Sequence, residues 1–433
     1  MNEDLTFKNH PTLPIAIVGG GLCGLALAIG LVKHGINVRI YESAPVFSEI
    51  GAGVAFGINS IAALQLIDPR LLEGYKKHAT FNADPAHKNT FYTMRWGTDS
   101  KEPNGPRAGD VGWDLDDIWH PERMQELGVQ TRSCIHRAHL LEELISLLPE
   151  GITEFSKSFS HATSLPDKTM ILHFTDNTTV HCAALLGCDG IKSRVRQLVC
   201  PDVTPKYAQE SAYRAVVPIE AAIKTLGKDA AMNGHIYCGY GGYIITYPIS
   251  LGTQLNVQTW PHGADWTVPA TREEILDKFS TWYPPVVNLL AEYHLPNKYA
   301  LFALNHTHPY TNGRVALLGD AAHATVPHLG AGAGMAMEDA YVLSSLIAAA
   351  GGIEGVEGAL TAYEAVRRAR TQEVVRRSLE AGRAYGFADG FDEVSLRGAL
   401  EESFSRIWGE DLQGEVCKGR EVMGIAKGEM LVA

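Results

Sequence analysis

Residues 15–32 read IAIVGGGLCGLALAIGLV, an uncharged apolar run near the N-terminus. Its length alone would allow a membrane span or a secretory signal. The preceding residues carry Glu3 and Asp4 against a single Lys8, whereas a signal peptide needs a basic segment there. Each glycine in the run would also weaken an isolated helix by up to about 1 kcal/mol relative to alanine. We therefore expect no membrane span here.

The glycines are explained if the run forms a strand, a turn and a helix. The pattern predicts a strand at Ile15–Val18 and a helix from about Leu22 to Lys33. In the spacing Gly19-x-Gly21-x-x-Gly24, the first glycine makes a tight turn and the second lets the backbone approach a pyrophosphate. The third lets the helix pack closely on the strand, and the helix N-terminus favours phosphate.

The segment that follows supports a dinucleotide-binding fold. Residues 37–41, NVRIY, predict a second strand that ends at Glu42, where a carboxylate can accept hydrogen bonds from ribose hydroxyls. The alternative is a buried βαβ unit with only a structural role. This segment does not distinguish NAD from FAD, because both use the same turn.

Composition excludes several classes of protein. The 433 residues include 37 Lys+Arg and 49 Asp+Glu, a net charge of −12, with no basic run, so we expect no nucleic-acid partner. The seven cysteines are scattered and odd in number, which favours neither a disulfide framework nor a zinc site. We expect no metal and a cytoplasmic location.

Two later motifs bear on the choice of nucleotide. Residues 187–190, GCDG, predict a tight turn between a strand and a helix with basic residues in its first turns, although Asp-Gly is also common in ordinary turns. Residues 313–343 read GRVALLGDAAHATVPHLGAGAGMAMEDAYVL. A strand at 314–318 delivers Asp320 to the sheet edge where open α/β sheets bind ligands. Glycines then begin a long small-residue helix, whose open N–H groups suit a flat, electron-rich group such as a flavin.

In this order and at these separations, the three segments resemble the FAD-binding fingerprints of the class A flavoprotein aromatic hydroxylases. That group contains para-hydroxybenzoate hydroxylase and salicylate hydroxylase. The likeness runs from Ile15 to about Arg370 and includes EIGAG at 49–53 and HRAHLLEEL at 136–144. Three further segments resemble the fungal salicylate-hydroxylase-like branch, which includes enzymes that hydroxylate or dearomatise phenolic polyketides: YRAVVP at 213–218, YIITYPIS at 243–250 and PATREEILDKFSTWYP at 269–284. Where relatives commonly read PHQGAGAGQ, this chain has Leu329 and Met335, which makes the loop beside the flavin more apolar.

The resemblance implies a cofactor role for residues in each motif. These are Gly19, Gly21 and Gly24 at the phosphate turn, Glu42 on the adenosine ribose, Gly53 and Arg137 along the FAD, Asp189 in the second fingerprint, Asp320 on the ribityl chain, and Ala333 at the flavin ring. Arg137 also begins a helix with an apolar stripe, from which its guanidinium can reach a phosphate or ribose. The alternative for it is a surface salt bridge.

Residues 205–300 alternate polar and apolar positions, which predicts strands half buried on one face. Arg214 alternates with apolar neighbours and is a candidate to bind a substrate carboxylate or phenolate. Tyr247, on a neighbouring strand, is a candidate donor to the same oxygen, and the resemblance to the dearomatising branch supports both. His328 is a third catalytic candidate, as a proton relay or substrate contact, or else it packs on its loop. His323 is expected to be structural.

We predict an α/β (α+β) protein in which a Rossmann-like FAD-binding domain is interlaced with a mixed β-sheet substrate domain, followed by a helical C-terminal tail. The expected boundaries are 10–82, 128–200 and 303–375 for the FAD-binding domain, 83–127 and 205–302 for the substrate domain, and 376–433 for the tail.

The resemblance implies a monooxygenase that uses FAD, NADPH or NADH, and O2 to hydroxylate a small phenolic substrate through a flavin hydroperoxide. The nicotinamide would bind transiently, because the sequence has no second nucleotide-binding unit. Salicylate-type oxidative decarboxylation, ring hydroxylation and dearomatisation of a resorcylic-aldehyde polyketide all stay open. An FAD oxidase or dehydrogenase without oxygen insertion, and a flavin-binding regulatory protein, are the alternatives of another class. We expect a monomer or homodimer.

Overall fold

The computed structural model describes residues 13–47, 53–117, 120–261, 271–292 and 297–425. Residues 49–52 of the EIGAG motif, residues 269–270 and both chain ends lie outside the described residues.

The strands in chain order are β1 (Ile15–Val18), β2 (Val38–Tyr41), β3 (Gly53–Phe56), β4 (Thr80–Phe81), β5 (Thr90–Trp96), β6 (Val111–Asp116), β7 (Ser133–His136), β8 (Thr153–Glu154), β9 (Phe159–Ser164), β10 (Met170–Phe174), β11 (Thr179–Cys182), β12 (Ala184–Gly187), β13 (Lys206–Pro218), β14 (His235–Gly239), β15 (Gly242–Ile249), β16 (Gln254–Pro261), β17 (Asn297–Ala303), β18 (Thr311–Asn312) and β19 (Val315–Leu317).

The α-helices are α1 (Leu22–Lys33), α2 (Ile58–Ile67), α3 (Pro69–His78), α4 (Pro121–Leu127), α5 (Arg137–Ser146), α6 (Arg196–Val199), α7 (Ile219–Leu226), α8 (Lys228–Met232), α9 (Arg272–Lys278), α10 (Pro284–Ala291), α11 (Asp320–His323), α12 (Gly332–Ala349), α13 (Val356–Tyr385), α14 (Glu393–Trp408) and α15 (Leu412–Val422).

The first apolar run is a central strand followed by a buried helix. β1 pairs in parallel with β2 on one side and β12 on the other, in a six-stranded sheet of order β18-β19-β12-β1-β2-β8. All four residues of β1 are buried, as is typical of a parallel strand covered on both faces. The predicted strand and helix at 15–33 are confirmed.

Among the described helices, no single one is long and apolar enough to cross a membrane. One pair, Gly332–Ala349 with Gly352–Tyr385, passes that test jointly by length and composition but is bent by 105°.

A second, seven-stranded sheet has the order β17-β13-β16-β15-β14-β5-β6. It is antiparallel except where β14 meets β5. Its register aligns Arg214 with Gln258, and Gln258 with Ile245, so these side chains share one face. The chain passes back and forth between the two sheets, and the predicted α/β class with interlaced sheets is confirmed. The predicted domain boundaries stay a prediction.

A buried ionic cluster joins the C-terminal helices to α12. The guanidinium of Arg367 lies 2.6 Å from Glu338, 2.8 Å from Asp339 and 2.6 Å from Glu415, and all four side chains are buried. Because these residues come from α12, α13 and α15, the cluster fixes how the three helices pack.

Removing the central cation of this cluster is expected to destabilise the protein strongly. Arg367→Met leaves the buried Glu415 without its cation and removes one of the two ion-pair partners of both Glu338 and Asp339, at a cost of about 3–5 kcal/mol. Arg376→Met, on the same helix but in an exposed pair with Glu373, should cost about 1 kcal/mol or less. Thermal denaturation of both variants checks this. Equal losses of stability would show that the buried cluster contributes no more to stability than the exposed ion pair.

Candidate functional site

The carboxyl ends of β1, β2, β12 and β19 open onto one cavity of about 620 Å³. This volume is within the usual range for small-molecule and cofactor sites. All of the predicted site residues except Gly24 line it. The cavity continues from the glycine turn to the face of the seven-stranded sheet that carries Arg214 and Tyr247.

The glycine turn after β1 forms one end of the cavity. Gly19 has a φ of +105°, and a Cβ atom there would lie 2.4 Å from the carbonyl oxygen of Cys188. Gly21 precedes α1, whose N-terminus has no side-chain cap, and a Cβ on Gly21 would meet nothing within 4 Å. Gly24 lies beneath the turn, where a Cβ would be 2.1 Å from the carbonyl oxygen of Gly19. The first two glycines shape the wall, and the third allows close helix packing.

The two glycines of this turn are expected to respond differently to alanine. Gly24→Ala should destabilise the fold by about 1–3 kcal/mol, because the methyl group meets backbone. Gly21→Ala should leave thermal stability of the cofactor-free protein nearly unchanged, yet weaken dinucleotide binding by placing a methyl group in the cavity. Thermal denaturation and cofactor titration of both variants separate the two effects. A Gly24→Ala protein as stable as the wild type would contradict the packing role.

Two acidic residues, which follow the strands on either side of β1, accept hydrogen bonds from the turns at the cavity wall. The Glu42 carboxylate accepts hydrogen bonds from the backbone N–H groups of Gly20 and Ala44, both at 2.7 Å. The Asp189 carboxylate accepts from the Ser193 hydroxyl at 2.5 Å and the Arg194 N–H at 2.7 Å. Their side chains therefore hold the backbone of the cavity wall in place.

The prediction of a helix directly after the turn at residues 187–190 is largely wrong. Residues 190–195 form an irregular turn capped by Asp189, and only the short α6 follows. Arg196 is buried and donates to the carbonyl oxygens of Ala321 and Ile191, so it is structural.

Asp320 begins α11 and opens into the cavity. No described residue donates a hydrogen bond to its carboxylate. Desolvation by the surrounding protein raises the pKa of Asp320, while the nearby His323 and Arg137 act to lower it. His323 is buried and lies 2.6 Å from the Asp339 carboxylate, a contact that agrees with the structural role expected for it. Asp320 therefore offers a carboxylate acceptor at the cavity wall.

These features fit FAD as an elongated ligand. The uncapped N-termini of α1 and α12 supply backbone N–H groups for anionic or electron-rich parts. Ala333, in the first turn of α12, presents only a methyl group to the cavity, and Arg137 lines the wall with an exposed guanidinium. Leu329 also lines the cavity, whereas Met335 is buried and is not part of its wall.

The other end of the cavity is formed by the face of the large sheet. The Nε of Arg214 is buried without a hydrogen-bond partner, and its guanidinium lies 5.7 Å from the ring of Tyr299. The Tyr247 hydroxyl donates to the Gly53 carbonyl oxygen at 3.3 Å and accepts from Gln258 at 3.2 Å. Burial raises the pKa of Tyr247, so it is a neutral phenol at physiological pH.

His328 is hydrogen-bonded to the protein through one ring nitrogen, while the other lies beside a carboxylate without making a hydrogen bond to it. Its Nδ1 shares a short hydrogen bond with the Tyr243 hydroxyl, and its Nε2 lies 2.8 Å from the Glu210 carboxylate. The side chain is buried at the cavity wall. The His328 ring therefore contacts Tyr243 on one side and Glu210 on the other.

Several cavity residues were missed from the sequence. Gln258 and Trp260 follow the same alternation in QLNVQTWP that identified the strand, so that pattern carried a signal for them. Arg132 had none, because Phe91 and Tyr247, which it contacts, lie far away in the chain. Glu210, which is not part of the cavity wall but contacts the cavity residue His328, had none for the same reason.

Comparison with known proteins agrees with this geometry. The family model described as FAD binding domain matches residues 12–378. The chain is 36% identical over 430 residues to 6-methylsalicylate 1-monooxygenase atA of Aspergillus terreus, covering 94% of this chain and 91% of that protein. It is 35% identical over 448 residues to a salicylate hydroxylase of Pseudomonas putida, covering 98% and 97%. The solved structure of a salicylate hydroxylase substrate complex matches with a TM-score of 0.80 and 28% identity, covering 94% and 98%. The chain therefore belongs to the FAD binding domain family, as a relative of the salicylate hydroxylase-like flavin monooxygenases.

Proposed function

We propose that this FAD-dependent monooxygenase uses NADH or NADPH and O2 to hydroxylate a phenolic ring. The observation that carries the proposal is Arg214: a cavity-lining guanidinium that has no ion-pair partner among the described residues. A permanent cation in that position suits the oxygen of a phenolate. Its position in the sheet face, beyond the cofactor end of the cavity, supports binding of a second, smaller ligand there.

Bound FAD supplies the redox chemistry, because it accepts electrons from the nicotinamide and activates O2 for transfer of one oxygen atom. The protein binds the ring, excludes water and favours the phenolate. Ile245, Trp260 and Leu329 give the cavity an apolar wall against which an aromatic ring packs. Arg214 stabilises the ring oxygen as an anion, which makes the ring electron-rich at the carbon that is attacked.

Tyr247 and His328 have secondary roles in this proposal. The Tyr247 hydroxyl must turn from the Gly53 carbonyl oxygen in order to donate to the substrate oxygen. His328 holds or passes a proton between the Tyr243 hydroxyl and the Glu210 carboxylate, at the edge of the same cavity.

The test is oxidation of NADH and NADPH by the FAD-loaded protein in the presence of salicylates, hydroxybenzoates and alkylresorcinol aldehydes, with product masses measured. We expect one nicotinamide to be preferred and a phenol to gain one oxygen atom. Loss of carbon dioxide would indicate oxidative decarboxylation, and loss of aromatic absorbance would indicate dearomatisation. Hydrogen peroxide as the only product with every phenol would instead support an FAD oxidase.

The natural partner in this proposal is a small phenol. Cytoplasmic residence and the choice between monomer and homodimer stay predictions from the sequence.

A further inference from the structure

Arg132 places a second positive charge at the substrate end of the cavity. The side chain lines the cavity, and the residue is only 2% exposed. Its Nη1 donates to the carbonyl oxygen of Phe91 at 2.8 Å, and its Nε is buried without a hydrogen-bond partner. Among the described residues, no carboxylate lies within ion-pair distance of it.

Two aromatic faces surround this guanidinium. Its central carbon lies 4.4 Å from the centroid of the Tyr247 ring and 5.1 Å from that of Phe91. Such contacts stabilise a cation, but they do not neutralise it.

A buried cation without a counter-charge is unfavourable unless another group completes its coordination. The other cavity cation beside Tyr247 is Arg214, which also has no ion-pair partner among the described residues. Glu210, the acidic group near this end, faces His328. Two arginines without an ion-pair partner among the described residues therefore line the same end of the cavity, where an anionic group of a ligand would complete their coordination.

We propose that Arg132 is a specificity-determining residue that binds an acidic oxygen substituent of the substrate, most simply a carboxylate, while Arg214 binds the ring oxygen. The inference rests on the proposed function, since the ligand is the phenolic substrate. Arg132 contacts the ring of Tyr247, whose hydroxyl lies at the same wall as Gly53 and Gln258. The acidic group and the ring hydroxyl would thus be recognised by two different arginines next to one tyrosine.

The test compares ligands that differ only in charge. The FAD-loaded protein, without nicotinamide, is titrated calorimetrically with the three hydroxybenzoate isomers and with the corresponding hydroxybenzamides. We expect at least one acid to bind about 10-fold or more tightly than its amide. In Arg132→Gln, that preference should fall to about 3-fold or less, with FAD affinity and thermal stability retained.

Two further variants make the result specific. Arg132→Lys keeps the charge but loses the planar fork, so it should keep part of the preference, and it serves as the test if Arg132→Gln does not fold. Arg397→Gln removes an exposed guanidinium that lies 5.7 Å from the Trp113 ring and outside the cavity, so it should leave the preference unchanged.

A preference that survives at the wild-type level in every Arg132 variant that folds, or no acid preference in the wild type, would overturn the assignment. If the wild type hydroxylates phenols while ignoring the acidic group, only the role of Arg132 fails. If the wild type binds no phenol at all and makes no hydroxylated product, the proposed function fails and the role of Arg132 fails with it.

Discussion

Asp320→Ala is expected to purify with little or no FAD. Its carboxylate opens into the cofactor end of the cavity and receives no hydrogen bond from any described residue, so its loss removes an acceptor for the ligand and little else. A hydrogen bond to a charged group contributes about 1.5–3 kcal/mol, which corresponds to roughly 10- to 150-fold in Kd. Titration of the cofactor-free protein with FAD, followed by flavin fluorescence, measures the change.

Asp320→Asn is the matched control. Its amide oxygen can still accept a hydrogen bond, so FAD affinity should fall less than in the alanine variant. Both variants should keep the thermal stability of the cofactor-free wild type, because no contact within the fold is lost. Unchanged FAD affinity in Asp320→Ala would refute the assignment to the ribityl chain.

Arg214→Ala should behave in the opposite way, with FAD retained and turnover mostly lost. The guanidinium lies at the sheet end of the cavity, and its proposed partner is the substrate oxygen. Truncating one member of a buried charge pair costs about 2 kcal/mol or more, so kcat/KM for the phenol should fall at least about 30-fold. The rate of hydroxylated product formation, with flavin content measured in parallel, checks this.

Lys206→Ala, on the same strand as Arg214, β13, tests whether turnover depends on Arg214 itself or on any cation of that strand. Lys206 is exposed and does not line the cavity, so its removal should leave both FAD content and turnover near wild type. Arg214→Lys should recover only part of the activity, because an ammonium group lacks the planar fork of a guanidinium. Product formation at the wild-type rate in Arg214→Ala would mean that the substrate binds elsewhere.

Local patterns in the sequence predicted much of the fold. The run at 15–32 combined a hydrophobic segment with glycines at a defined spacing, which only a strand, a tight turn and a packed helix satisfy. The two-residue alternation around Arg214 likewise predicted a side chain on one face of a sheet, and the register with Gln258 agrees.

Features that depend on distant contacts could not be predicted in this way. Glu338 and Asp339 would ordinarily be expected at the surface, yet both are buried because Arg367 approaches from another helix. Arg132, which directly precedes β7, meets Tyr247 of β15 through the packing of distant segments, and no spacing rule connects them.

The side chain of Asp189 shows a different limit of sequence reasoning. Its motif predicted a ligand-binding position, and it does line the cavity. Its carboxylate nevertheless accepts hydrogen bonds from the Ser193 hydroxyl and the Arg194 backbone N–H in the turn that follows. The direct contacts of this side chain therefore stabilise the turn.

The most direct test of the central claim is turnover under ¹⁸O2 with the phenol that best stimulates nicotinamide oxidation. The proposed monooxygenase should place one ¹⁸O atom in the isolated product for each nicotinamide oxidised, with little hydrogen peroxide released. An unlabelled product, or peroxide equal to the nicotinamide consumed, would contradict it.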